Sequence, residues 1–552
     1  MKTKIFPALL LAITLILSAC VKNNISSDND WIQYKKDNYR SGVSQTKIDL
    51  TTLSQKWIYS APHIPVAAWY GPAYEDAFAN SGPLPSMRDY DLAYYPIIVG
   101  DKLFYASTSD DAIHCLDNYT GEELWRYTTN GPIHIAPAYH AGNLYFGSDD
   151  GYVYSIGAKK GKLNWKFSPS DQNQTKVLNN GRLISFWPIR TGVLVEDGKV
   201  YFGASMLPWK KSYFCAIDEK TGKVIGDDCY VNELENRSLE GSMASTGEKI
   251  IQPQGRIAPA FFDKKTGEDQ GSLPGSGGCF VLVTEDEHII HPQTSRKKSL
   301  HELSNGDQPD FMSFDGGKEI VVKGDTSYVL TDHTIAAYER SSQKLIWLRR
   351  NFKAHRIILA GDYIFAGATD TLFGISTKNG LPLWKAQVQG TVYALAAAGE
   401  SIYASTGEGF IYCFGEGETS TSFLAQNVTQ SPSIDLVSDL KITPNHTQTL
   451  TVYAGPFIEA ISPQSVSVHF ETLEAMDCSL TWKNDGQLLQ NLISENKKLH
   501  EFILPVRKDF RYSAIISNAD NQTLSFQYDN FFNFEKEEAL PAGWVDSSQA
   551  EN

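Results

Sequence analysis

The chain has 552 residues, room for one large domain and a smaller one. Apolar residues make up 42% and aromatics 12%, enough to supply a packed core. The formal net charge of −15 argues against a nucleic-acid partner, which would need a basic face.

Residues 1–19 carry two lysines, an apolar run and then small residues, the pattern of a secretory signal peptide. Leu17-Ser18-Ala19-Cys20 resembles the bacterial lipobox, which implies a lipid on Cys20. Val21 stands where a retention signal would place Asp, so the resemblance implies the outer membrane, with the body facing either periplasm or cell surface. Residues 20–48 read as a tether. No later segment has the roughly 18 apolar residues of a membrane helix, so the body is anchored and not embedded.

From residue 49 to 418 one phrase keeps returning. LDNYTGEELW (116–125), IGAKKGKLNW (156–165) and ISTKNGLPLW (375–384) each place Trp four residues after Gly. YERSSQKLIW (338–347) keeps the Trp and loses the Gly, while IDEKTGKVIG (217–226) and FDKKTGEDQG (262–271) put Gly where the Trp stood. Asp117, Asp218 and Asp263 stand three residues before a Thr-Gly pair. There the Asp side chain bonds the backbone ahead and Gly supplies positive φ, which makes a hairpin turn. Alternating strands precede each turn, as in GDKLFYASTSDDAIHCLD and GDYIFAGATDTLFGIST. Four short strands in about 40 residues make one propeller blade. The Trp residues read as packing against the neighbouring blade.

SLHELSNGDQPDF (299–311) looks like a degraded copy, and IYCFGEGE (411–418) has no closing strand after it. LSQKWIYS (53–60) has the Trp-strand pattern with no blade before it, so it is expected to close the last blade and remove an open edge. The fold class is thus all-β, a propeller of eight blades, or seven if the 299–311 copy is spurious.

Two blade entrances align: His134 and Arg190 each precede a turn glycine by eight residues. Both are expected at one mouth of the channel. Arg182 and Trp187 lie on the preceding insertion, and Arg256 follows QPQG. Such a set suits an anionic or aromatic ligand, a small molecule or glycan. The alternative is that these arginines satisfy carbonyls and carboxylates inside the mouth. The segment 61–93 is long, aromatic and Pro-rich, and reads as a cap over the mouth or, through exposed Trp69 and Tyr70, as a partner surface.

Apart from Cys20, six cysteines remain and none has CxxC spacing, so no metal site is expected. Cys215 and Cys229 flank one predicted hairpin and are a candidate disulfide; otherwise they are small buried hydrophobes. After a Ser/Thr/Gln-rich linker at 419–444 the rhythm changes. Six or seven short strands in 445–534 read as a β-sandwich, with a tail at 535–552. GPFIEAISPQSVSVHFET resembles the fibronectin-III-like domain that precedes the metal domain of purple acid phosphatases, with Phe510 at the corner where that fold often has Tyr. No phosphatase metal domain follows, so that activity does not carry over.

DDGYVYSIGAKKGKLNW, NGRLISFWPIRTGVLVEDGKVYF and YDLAYYPIIVGDKLFYAST resemble the propeller superfamily of pyrroloquinoline-quinone type. They are similar to the family of B-subunit lipoproteins of the outer-membrane β-barrel assembly machine. The resemblance implies either a scaffold that binds envelope proteins or a dehydrogenase that uses pyrroloquinoline quinone and calcium. Quinoprotein dehydrogenases often carry an adjacent Cys-Cys pair, and some a CxxCH haem motif; this sequence has neither. The reading is therefore a non-enzymatic envelope scaffold, with no catalytic residue and no cofactor assigned.

Overall fold

The structure, a computed structural model, describes residues 29–68, 90–171, 175–179, 182–207, 210–255, 257–293, 299–304, 310–417, 450, 452, 454–462, 464–484, 487–506, 511–520 and 522–529. Cys20, Trp69, Tyr70, Arg256, Phe510, the linker 419–444 and the tail 535–552 lie outside the described residues. The chain divides into two compact units, Met1–His446 and Thr447–Asn552.

The first unit is built from antiparallel four-stranded sheets. The first sheet runs Ile97–Val99, Lys102–Ala106, Ala112–Asp117 and Glu123–Thr128 in spatial order. The same order recurs at 138–167, 194–234, 244–272, 282–315 and 319–350. A longer sheet contains two more such groups. They join through the 17-residue strand Pro382–Ala398, whose first part closes one group and whose second part opens the next. Eight four-stranded groups result among the described residues, and the 299–311 phrase lies on two paired strands of the fifth.

Leu53–Ser60 pairs with Phe410–Glu416 and completes the last group, so chain start and repeat end are stitched together. The innermost strands of neighbouring groups lie side by side, including Ile97–Val99 of the first against Pro382–Ala398 of the last. The ring is therefore closed and the fold is a β-propeller.

The recurring Trp has a definite contact. For Trp57, Trp125, Trp165 and Trp347 the ring covers the turn glycine of the next group. A Cβ on Gly121 would lie 2.8 Å from Trp57, on Gly161 2.5 Å from Trp125, on Gly222 2.4 Å from Trp165 and on Gly380 2.5 Å from Trp347. Three of these indoles also donate to a carbonyl of the covered turn: Trp57 to Asn118 at 3.0 Å, Trp165 to Glu219 at 3.0 Å and Trp347 to Thr377 at 2.8 Å. Trp384 donates to Leu53 at 3.1 Å, across the seam where the ring closes. Where Gly226 replaced the Trp, Tyr230 takes over: its ring covers Gly267 and its hydroxyl donates to the Lys264 carbonyl. The Asx geometry of these turns is as expected, with Asp117 accepting from the amides of Tyr119 and Thr120.

The ring has two faces. One carries the turns between first and second strands together with the Asp-x-x-Thr-Gly turns. The two kinds of turn bond each other, as Asn118 to Asp101, Glu219 to Gly198 and Thr377 to Asp362. This is the turn face. The opposite, loop face carries the second-to-third-strand turns and the connections between groups, bonded as Asp149 to Pro132 and Ile189 to Ser148.

Residues 29–46, expected within the tether, instead fill the channel at the turn face. Trp31 exchanges two backbone bonds with Ile98, and Ile32, Asn38 and Tyr39 accept from Tyr139, Ser245 and Val283. Asn38 also donates to the Val195 carbonyl, Lys35 pairs with Glu319, and Val43–Ser44 runs parallel to Leu359–Ala360. Asn29 accepts from Gly399. The segment thus touches the innermost strand or adjoining turn of every group. Its apolar residues explain the packing: Trp31 and Tyr34 are buried, as is the stem of Arg40. The Arg40 guanidinium donates to the carbonyls of Met243, Tyr34 and Asp37.

The proposed Cys215–Cys229 bridge is not formed, and both thiols are free. Cys215 stands directly opposite Val231, which leaves Cys229 diagonal to it. Diagonal neighbours are roughly 7–8 Å apart, beyond disulfide reach.

In the second unit, where a sandwich of six or seven strands is expected, five strands form one antiparallel sheet among the described residues. The segments SVSVHFET and CSLTWKN belong to a single strand, Ser465–Asn484, whose pairing shifts register between Glu471 and Cys478. Bulges let a long strand bend without ending its ladder. Residues from both halves, among them Val466, Phe470, Leu480 and Trp482, share one core.

Gly222 tests the interlock between groups. Gly222→Ala would put a methyl into the Trp165 ring at a backbone φ of 66°, in the left-handed region. Strain and clash together should lower unfolding stability by roughly 1–3 kcal/mol in urea titration. Gly198→Ala, with φ 73° and open space around it, isolates the backbone part.

Candidate functional site

The loop face gathers a buried group of charges around Asp149. This residue sits on the tight turn after the second strand of the 138–167 group. Arg190, on the connection into the next group, donates to Asp149 through Nε at 2.7 Å and Nη2 at 2.5 Å. A further bond runs from Arg190 to Asn179 Oδ1 at 3.2 Å. His134 Nε2 lies 3.1 Å from the same carboxylate, and its Nδ1 lies 3.3 Å from Asp91 Oδ2. Asp91 also accepts from the Ala68 amide, and Tyr90 donates to Glu240 at 2.7 Å.

The side chains of Arg190, Asp149, His134 and Asp91 are all at most 3% exposed. Burial alone would raise the Asp149 pKa, but Arg190 and His134 hold it well below the usual carboxylate range. Burial likewise disfavours charged His134, yet Asp149 and Asp91 outweigh it and raise its pKa. The His134–Arg190 equivalence seen in the sequence is real: both converge on one carboxylate.

Arg182 belongs to a separate pair. It forks onto Asp111, with Nη1 to Oδ1 at 2.7 Å, and donates to the Thr108 carbonyl at 3.3 Å. Burial pushes the Asp111 carboxyl up to about 6 against the pull of Arg182. Trp187 is not part of an arginine cluster. Its ring packs edge-on to Phe186 and Tyr213, and its indole donates to the Lys211 carbonyl at 2.9 Å. An apolar ring of that size is drawn into the core between the second and third groups.

The described ends of the 61–93 segment are buried on the same face, through Ala68, Tyr90 and Asp91. Next to them His63, Asp110, His114, Glu123 and Arg126 make a second charge network, with His114 Nε2 3.0 Å from Asp110 and Nδ1 3.3 Å from Glu123. Sequence reasoning missed Asp91, Asp149 and Glu240, which lie far apart in the chain. The one local signal was the Asp149-Asp150-Gly151 turn, which reads as turn chemistry.

The insertion carrying Arg182 is a two-stranded hairpin, Lys176–Asn179 and Arg182–Ser185. Its inner face buries Ile184, and Ser185 donates its amide to the Asp149 carbonyl. On the outer face Leu178 stands opposite Leu183, and they are 68% and 59% exposed.

Among the described residues no group of three or more His, Cys, Asp or Glu side chains is placed to hold a metal ion. The acids at Asp149 and Asp111 already face guanidinium groups, so calcium finds no donor set there. Arg190 is likewise committed and does not offer itself to the carboxylates of a quinone cofactor. The described residues around this cluster do not fit pyrroloquinoline quinone with calcium.

Residues 92–258 match the family described as "PQQ_2: Outer membrane protein assembly factor BamB" and form a repeat domain of that kind. The chain is similar to the dehydrogenase subunit of a quinone alcohol dehydrogenase from Gluconobacter oxydans. The two are 30% identical over 28% of this chain and only 22% of that protein's length. A 1-butanol dehydrogenase (cytochrome c) from Thauera butanivorans is 23% identical over 42% of this chain and 36% of its own. The solved quinohemoprotein alcohol dehydrogenase from Comamonas testosteroni superposes with a TM-score of 0.50 at 13% identity. That match covers 73% of this chain and 83% of the other, and shows a common propeller fold.

The charge cluster can be tested as a unit. Removing one partner of a buried ion pair costs about 3–5 kcal/mol because the other charge is left uncompensated. Asp149→Ala and Arg190→Ala should each show a loss of that order in urea unfolding, and the double variant should lose clearly less than their sum. Additive losses would show that the two side chains act independently.

Proposed function

We propose that this protein is a non-enzymatic, lipid-anchored scaffold of the cell envelope that binds another envelope protein through the loop face of its propeller. The observation that carries the reading is the hairpin at 176–185. Its inner side is fixed by Arg182–Asp111 and by the Ser185 amide, while its outer side presents the Leu178–Leu183 pair to solvent. A rigid support under exposed apolar side chains lowers the entropic cost of docking. The internally neutralised cluster beneath it acts as a foundation for that surface. The resemblance of Leu17–Cys20 to a lipobox and the repeat match at 92–258 support an outer-membrane location, facing periplasm or cell surface. The second unit, read as fibronectin-III-like, would serve adhesion or spacing.

A photo-crosslinking residue at position 183, in cells, should capture a discrete envelope protein. Leu178→Asp, which leaves the buried face of the hairpin intact, should abolish a capture made from position 183. No discrete adduct, or one unaffected by Leu178→Asp, would overturn the proposal.

The curated relatives favour a second reading, a quinone-dependent dehydrogenase. It is tested by thermal shift of the chain from Val21 onward with pyrroloquinoline quinone and calcium. A ligand at 100 times its dissociation constant adds about 2.7 kcal/mol to the folded state. The scaffold reading expects no calcium-dependent shift. Such a shift would put the dehydrogenase first. A small-ligand or glycan site at the mouth is disfavoured because Arg182 and Arg190 are already paired.

A further inference from the structure

We infer that the channel-filling segment 29–46 fixes which way the propeller faces on the membrane: the turn face lies toward the lipid surface and the loop face points away. This rests on the proposed lipidation of Cys20. The direction follows from where the segment leaves the ring. Asn29 accepts from Gly399, and Asp30 accepts from the Gly100 amide at 3.1 Å. Gly399 and Gly100 belong to the first-to-second-strand turns of the last and first groups, so the chain leaves the channel rim on the turn face. The other end of the segment comes out on that face too, where Ser44 accepts from Gly361 and Thr46 from the Glu400 amide.

Asn29 follows Cys20 by nine residues. Nine residues reach at most about 30 Å even when fully extended. To bring the loop face to the bilayer, the chain would have to run out past four strands and up the side of the ring. At ~4.8 Å per strand spacing and ~3.3 Å per residue, that is roughly 15 Å outward and then 20 Å along a six-residue strand. The loop face is therefore out of reach of the anchor. The exit cannot slide, because the segment is bonded to the ring from Trp31 to Ser44 and carries Trp31, Tyr34 and Arg40 in the interior. The hairpin at 176–185 and the 61–68 and 90–96 stretches are all on the loop face. The lipid surface is thus the neighbour of the Asp-x-x-Thr-Gly turns, and a protein partner meets the side remote from it.

The experiment uses the full-length lipidated protein on phosphatidylethanolamine/phosphatidylglycerol vesicles that contain a nitroxide-headgroup lipid. In a Cys229→Ser background, a fluorophore is attached at Lys160→Cys on the turn face or at Leu178→Cys on the loop face. Both positions are exposed. Quenching severalfold stronger at position 160 than at 178 is the expected result. A long Gly/Ser insert between Asn23 and Asn24 should erase most of that difference, since a flexible linker lengthens the reach. Equal or reversed quenching, or a difference that survives the insert, overturns the assigned orientation while leaving lipidation in place. If the full-length chain binds vesicles no better than a Cys20→Ser variant, the lipidation reading fails and this inference fails with it.

Discussion

The structure depends on one contact made again and again: an aromatic ring on the last strand of one group laid flat over the turn glycine of the next. No other residue type could serve on the turn side. A Cβ on Gly161 or Gly222 would sit inside the covering indole, and both residues hold positive φ. At Trp57, Trp165 and Trp347 the indole N–H also bonds a carbonyl of the turn it covers, so there the contact fixes position as well as burying area. At the seam the hydrogen bond alone is kept, Trp384 donating to the Leu53 carbonyl. Where this contact is made, a group without its neighbour would leave both an aromatic face and a glycine turn uncovered.

The channel poses a different problem. Among the described residues, the innermost strands leave an axial space whose walls carry backbone donors and acceptors. Here the chain's own residues 29–46 satisfy part of them on the turn face, through Ile98, Tyr139, Ser245, Val283 and Leu359. On the loop face, charged side chains meet instead. Arg190, Asp149, His134 and Asp91 are buried together, and each opposite charge offsets the desolvation of the next. A cluster that neutralises itself is suited to holding loops in place. Binding a quinone or calcium would require it to be taken apart. The face above it carries the hairpin with exposed Leu178 and Leu183, built on that support.

Much of this was legible in the sequence, and some was not, for physical reasons that can be named. The repeating Asp-x-x-Thr-Gly turn, the two-residue alternation of the strands and the Trp spacing are local patterns, so they determined the four-stranded group and its propeller class. The unpaired Leu53–Ser60 strand likewise determined how the ring closes, because a lone Trp-strand and a blade without an end imply each other. Tertiary structure alone decided the substitution of Tyr230 for the absent Trp, since that residue lies outside the repeat phrase and only proximity to Gly267 reveals it. It decided that 29–46 is a plug, because its aromatic residues have no periodic pattern and find their partners far along the chain, Trp31 at Ile98, Tyr34 at Tyr95 and Tyr39 at Val283. It decided, too, that the arginines at the mouth are paired. Charge compensation depends on distances among Asp91, Asp111, Asp149, Arg182 and Arg190, and a sequence carries spacing along the chain but no distance across it.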